Sequence, residues 1–214
     1  MCNNGLDTRL LARRCATVVG VDFSSQAIEW AKNTSMQYSN AVFIHSDIVS
    51  HAFQNPMSFD FAVASWGITC WVEDMRLFAT AIYYTLKQGG FFYLCDVHPL
   101  INCLGSTGGW VDSYPMPTKR RQRSGDVVID YHAPGNIPQF RMHWWWWGLG
   151  EVVSEFTNVG FRVLFLKEHD FLWPEYFGTE RRVIKRGSKG YLANMPEGMP
   201  LSYSLKVTKP PPNA

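Results

Sequence analysis

The chain alternates short apolar runs, rich in β-branched residues, with stretches whose apolar positions recur every three or four residues. Residues 5–14 read as a helix with Leu6, Leu10 and Leu11 on one face. Residues 17–21 then form an apolar strand that stops abruptly at Asp22, with Ser24 or Ser25 placed to cap a helix over about 26–37. Residues 41–44 read as a strand running into Ser46-Asp47-Ile48, and Phe59–Ser65 as a third that ends in the small residues Ser65 and Gly67. A helix over about 73–87 carries Met75, Phe78, Ala79, Ile82 and Leu86 on one stripe, and Gln88-Gly89-Gly90 is expected to stop it before the strand 91–96. This alternation with short connections predicts an α/β, doubly wound, mostly parallel sheet.

The pattern breaks at residue 97. From there to 147, glycines, prolines and polar residues leave only short β-like pieces, 127–131 and 139–146. We read 97–147 as an insert or lid within one domain spanning 1–214. Regularity returns with a helix near Leu149–Asn158, Gly160 as its stop, a strand at 161–166, a loop-rich tract to about Pro200 and a last strand at 201–207.

Composition changes this picture little. The 46% hydrophobic and 18% charged content belongs to an ordinary globular chain, and a net charge of +2 supplies no general attraction for nucleic acid. No apolar run approaches a membrane span, and the five cysteines fall in no disulfide-like spacing, so reduced thiols in the cytoplasm are expected. Lys119-Arg120-Arg121-Gln122-Arg123 reads as a solvated loop, with a phosphate-bearing or acidic substrate as the sharper alternative.

Candidate chemistry begins at Asp22. In an open α/β sheet ligands bind beyond the carboxyl ends of the strands, so a carboxylate there is placed to hold the ribose of a nucleotide-like cofactor. The bland alternative is a helix-capping aspartate. Cys95, His98 and Cys103 have part of a metal-ligand spacing but lack a convincing second pair, so we expect no metal. His98, just past a strand end, is a candidate general base, though a hydrogen-bonded loop histidine is the stronger reading. His132 and His143 carry less signal. The run Trp144–147 either packs the insert or lines a substrate lid, an oligomer contact or a cage for a cation.

The order Cys2-Asn3-Asn4-Gly5, Val19-Gly20-Val21-Asp22-Phe23-Ser24, Ser46-Asp47-Ile48, Phe59-Asp60 and Leu86-Lys87-Gln88-Gly89-Gly90 resembles the class I S-adenosylmethionine-dependent methyltransferases. Gly160-Phe161-Arg162-Val163 and Leu201-Ser202-Tyr203-Ser204-Leu205 look like that family's last two strands. The resemblance implies a Rossmann-like sheet with an antiparallel C-terminal strand, S-adenosylmethionine as cofactor, and methyl transfer to a small-molecule acceptor. It implies that Asn4 and Gly5 close the loop around the methionine part of the cofactor. By the same resemblance Asp22, with Phe23 and Ser24, holds the ribose, Asp47 and Ile48 meet the adenine, and Ser65, Trp66 and Gly67 face the sulfonium and the acceptor. The Asn/Asp-Pro-Pro-Tyr pattern of amino methylation is absent from that strand end.

In this family a central strand and leading glycines precede the loop, whereas this sequence starts at Met1-Cys2-Asn3-Asn4-Gly5. The expectation is a chain cut before its first strand, or another segment filling the slot. A catalytically impaired, methyltransferase-like interaction module is therefore the alternative, with self-association as a way to stay folded. A nicotinamide-dependent oxidoreductase is a further one, disfavoured because no G-x-G-x-x-G precedes Asp22. Neither nucleic acid nor a membrane is expected as a partner.

Overall fold

The structure, a computed structural model, describes residues 1–104, 109, 112–115, 122–127, 140–172, 183–187, 189–192 and 197–211. Five helices and ten strands lie among them, and the sheet is in pieces. β1 (Val18–Asp22) pairs in parallel with β2 (Ala41–His45). A second sheet has the order β3-β4-β10-β7, built from β3 (Phe59–Ser65), β4 (Leu86–Val97), β7 (Arg162–His169) and β10 (Ser202–Thr208). β3 and β4 are parallel, and β10 is antiparallel to both of its neighbours. This is the expected mixed α/β architecture with an antiparallel last strand. Two hairpins, β5 (Gln122–Val127) with β6 (Phe140–Trp145) and β8 (Val183–Arg186) with β9 (Lys189–Leu192), complete it.

The core lies on one face of the larger sheet, under α4 (Met75–Thr85) and α5 (Leu149–Asn158). The predicted α4 stripe is the buried one: Met75, Phe78, Ala79 and Ile82 all face inward. Phe156 of α5 is fully buried, stacked on Phe92 of β4 at 5.1 Å and edge-on to Phe78 at 6.2 Å. Complete burial of such a ring contributes about 1.5–3 kcal/mol.

The sequence reading of the α4 terminus needs correction. The glycines do not stop the helix; it ends at Thr85 and β4 begins at Leu86, with Gly89 and Gly90 inside the strand. A glycine cap satisfies stray carbonyls, and here other groups do that. The Lys209 ammonium donates to the Tyr83 and Leu86 carbonyls, and the Met57 and Ser58 amides donate to those of Tyr84 and Thr85. The glycines serve the strand instead. A Cβ on Gly90 would lie 2.8 Å from the Lys87 carbonyl oxygen and 2.9 Å from that of Asp60, where β3 and β4 shift register.

A second correction concerns α1 (Leu6–Ala12). Its buried residues are Thr8 and Ala12, while Leu6 and Leu10 are about half exposed. Small residues let the helix approach Gly20 of β1, where an added Cβ would sit 3.0 Å from the Thr8 hydroxyl. The short α3 (Ile48–Gln54) and the β8–β9 hairpin are unexpected, and β5 shares only Val127 with the predicted piece 127–131, its Gln122 and Arg123 coming from the run read as a loop. The remaining helix, α2 (Ser25–Thr34), starts at its Ser24 cap, whose hydroxyl accepts from the Ala27 amide at 3.2 Å.

Among the described residues no strand ladder joins the β1–β2 pair to the larger sheet, whose order starts at β3; β1 also receives one bond from outside its pair, from the Cys2 amide to the Val21 carbonyl at 2.8 Å. β3 is correspondingly open, with Val63 38% exposed, unlike a parallel strand covered on both faces. Among the described residues no helix is long and apolar enough to cross a membrane.

Gly5 and Gly89 give a paired test of this packing. Both have φ of 75°, but a Cβ on Gly5 would fall 2.5 Å from the Phe43 ring while one on Gly89 would meet nothing within 4 Å. Chemical denaturation should show Gly89→Ala losing about 1–2 kcal/mol, the cost of left-handed backbone alone. Gly5→Ala should lose clearly more, and equal losses would contradict the packing described.

Candidate functional site

Asn4 and Gly5 lead into α1 and His98 follows β4, while the other predicted site residues sit at or just past the carboxyl ends of β1, β2 and β3, because each apolar strand gives way there to a polar turn. Asp22 is the last residue of β1 and only 6% exposed. Its Oδ2 accepts from the Asn3 amide at 2.8 Å and its Oδ1 from the Ser24 amide at 3.0 Å. One carboxylate thus ties the segment leading to Gly5 and the start of α2 to the same strand tip. Asn3 has φ of 47° and Gly5 of 75°, and the Asn4 side chain accepts from the Leu6 amide at 3.2 Å. Asn tolerates the left-handed geometry that Asn3 adopts better than most residues. Beyond Asp22, Phe23 is 62% exposed and Ser24 caps α2.

At the tip of β2, Asp47 is exposed and its Oδ1 caps α3, accepting from the Ser50 amide at 2.9 Å. Ile48 packs against the main core. Asp47 is thus a helix cap by its contacts, while Asp22 joins two backbone segments and leaves the capping of α2 to Ser24. A carboxylate has roughly four lone-pair positions, so these contacts leave further acceptor capacity on both.

At the tip of β3 the chain makes a left-handed turn, with φ of 57° at Trp66 and 79° at Gly67. Non-glycine residues rarely occupy that region without something holding them. Three contacts hold this turn. The Trp66 amide donates to the Cys95 carbonyl at 2.8 Å, the Gly67 amide donates to Asp96 Oδ1 at 2.6 Å, and the Ser65 hydroxyl donates to Asp7 of α1. The last bond ties β3 to α1, the helix that packs on β1. Trp66 is 39% exposed and a Cβ on Gly67 would meet nothing within 4 Å, so the turn fronts open space. Asp7 and Asp96 were missed in the sequence; Asp7 looked like a first-turn helix residue and Asp96 like an ordinary strand end.

His98 lies outside this group. It is buried, its Nδ1 accepts from the Leu100 amide at 3.2 Å, and its Nε2 faces Glu168 Oε1 at 3.0 Å. Burial pulls its pKa below the ordinary value while Glu168 pulls it back up. Both ring nitrogens are engaged, so the geometry offers no lone pair to an acceptor. Cys95 lies 3.9 Å from the Ser204 hydroxyl and Cys103 donates to the Pro99 carbonyl. Among the described residues no three His, Cys, Asp or Glu side chains converge as a metal would require. Trp147 packs on the core and its indole donates to the Val72 carbonyl at 2.7 Å, while Trp144 and Trp145 belong to β6 and all four tryptophans are partly buried. His132 and residues 119–121 lie outside the described residues.

The donor set fits S-adenosylmethionine in kind. Carboxylates at two adjacent strand tips suit hydroxyl and amino groups, and the glycine turns at 5 and 67 allow close backbone approach. A family model described as a methyltransferase domain matches residues 2–94. No curated protein sequence matches the chain. Among solved structures, one from Listeria monocytogenes, described as a candidate S-adenosylmethionine-dependent methyltransferase, is 16% identical with a TM-score of 0.67, covering 97% of this chain and 87% of its own. An S-adenosylmethionine-dependent methyltransferase from Methanosarcina mazei is 17% identical with a TM-score of 0.64, covering 99% and 90%. At such identities the likeness shows the fold, and a [4+2]-cyclase shares it too, 13% identical with a TM-score of 0.59, covering 99% and 74%. A methyltransferase-domain model thus matches residues 2–94, and the fold of the chain is that of class I, Rossmann-like methyltransferase structures.

Proposed function

We propose that the chain is an S-adenosylmethionine-dependent methyltransferase that transfers a methyl group to a small-molecule acceptor, with the cofactor held across the tips of β1, β2 and β3. The observation that carries this reading is the bond from the Asn3 amide to Asp22, which keeps the loop ending at Gly5 beside the ribose carboxylate. S-adenosylmethionine, when bound, supplies an electrophilic methyl on a sulfonium sulfur. The chain's own residues bind and orient. Asp22 accepts from the ribose hydroxyls, assisted by Phe23 and Ser24, while Asp47 and Ile48 meet the adenine amino group and ring. Asn4 and Gly5 border the methionine part, and Ser65, Trp66 and Gly67 border the reacting sulfur. Orientation of this kind can contribute about 7–11 kcal/mol to a bimolecular reaction, so no catalytic base is required by the reading.

A small acceptor is favoured because Ser65-Trp66-Gly67 lacks the amide-and-aromatic pattern suited to flipped bases or protein amines. The second reading, a module of this fold that no longer turns over, is favoured by the interruption between β1 and β3.

Calorimetry with S-adenosylhomocysteine separates the two. The proposal expects saturable binding and a thermal midpoint that rises with ligand by mass action. Asp22→Asn should weaken that binding about tenfold or more, because hydrogen bonds to an ionised carboxylate are lost. Absence of binding at millimolar ligand would sink cofactor use. For the acceptor, labelled S-adenosylmethionine should be incubated with the protein and a cell extract. Label is expected in the low-mass fraction, and label confined to protein or nucleic acid would overturn the small-molecule assignment.

A further inference from the structure

Asp96, the penultimate residue of β4, is 1% exposed and has no role in the binding described above. Burying a carboxylate is costly unless its lone pairs are filled, and here all four positions are. Oδ1 accepts from the Gly67 amide at 2.6 Å and the Val97 amide at 2.7 Å. Oδ2 accepts from the Thr69 amide at 2.9 Å and the Thr69 hydroxyl at 2.8 Å. Three of the four donors belong to the turn after β3, 27 to 29 residues away in sequence. Only donors face it, which suits the ionised form, although burial pushes its pKa above the usual carboxylate range.

The same turn is closed from within. The Cys70 thiol donates to the Gly67 carbonyl at 3.0 Å and is pushed up to about 12, chiefly by burial and then by the charge of Asp96. It is a neutral strut. The clamped segment begins one residue after Trp66, whose left-handed backbone would relax if Gly67 were released. Ser65, on the other side of Trp66, is tied to Asp7. Trp66 is therefore gripped on both flanks while its ring stays 39% exposed at the strand tip.

We propose that Asp96 is a positioning residue, a buried clamp on the 67–70 turn that sets the Trp66 ring at the rim of the cofactor cleft. This rests on the reading of the strand tips as the cofactor site. It names a long-range determinant of cofactor affinity that touches no ligand itself.

The test uses Thr69, because truncating buried Asp96 strands four donors whereas a single hydroxyl donor can be removed mildly. Thr69→Val should weaken S-adenosylhomocysteine binding about tenfold, the effect of one hydrogen bond to a charged group. Thr69→Ser, which keeps the donor, should restore affinity to within about twofold of the parent. In a Trp66→Ala background the Thr69→Val substitution should change affinity no further, since a clamp acting through Trp66 has nothing left to position. Additive losses, or Thr69→Ser behaving like Thr69→Val, would overturn the clamp. So would unchanged affinity in Thr69→Val while the parent binds normally. Failure of the parent itself to bind would instead overturn the site reading, and the clamp's stated role with it.

Discussion

The Asp22 carboxylate is the junction on which the candidate site depends. Its two oxygens accept from backbone amides on opposite sides in sequence, Asn3 before the strand and Ser24 after it. Remove the charge and the loop before α1 loses its tie to the strand tip, as does the entry to α2. Gly5 can pack against Phe43 and Ala31 only because that loop is brought there. A single buried acceptor therefore organises three elements before any ligand is considered. Low local dielectric strengthens each of these bonds and makes their loss costly.

The interruption between β1 and β3 gives the site its particular character. In an unbroken sheet, backbone pairing would fix the relative position of the strand tips. Here single bonds share that task. The Ser65 hydroxyl ties β3 to Asp7 of α1, the Cys2 amide bonds to β1, and Asp96 of β4 secures the turn after β3. Carboxylates do much of the work that a ladder of amides would otherwise share. Hydrogen bonds from hydroxyls and amides to ionised groups are individually strong but few, so such a site is sensitive to single substitutions.

Much of this was legible in the sequence, for reasons that can be named. Asp22 stands out because a β-branched run ends on it, and the α4 stripe because its period is helical over eleven residues. The contact of Asn3 with Asp22 spans 19 positions and has no local signature. Asp96 was passed over because a strand ending in aspartate looks the same whether the carboxylate is solvated or clamped. Gly89-Gly90 has the sequence of a helix stop, and the remote Lys209 together with the Met57 and Ser58 amides explains why none is needed. The buried face of α1 is not marked by its leucines, which outweigh Thr8 and Ala12 in hydrophobicity, because close approach to Gly20 favours the smaller pair. α3 and the β8–β9 hairpin are too short for periodicity to mark them.

The central proposal is spatial: one cofactor lies across three strand tips, with Asp22 holding it at the tip of β1. Backbone amide chemical shifts followed during titration with S-adenosylhomocysteine test it most directly. The account predicts saturable shifts at Asn3, Gly5, Phe23, Ser24, Asp47 and Gly67, with the far ends of β1 and β3 unmoved. Shifts confined elsewhere, for instance around the hollow bordered by Glu168, Phe171 and Pro200, would contradict it.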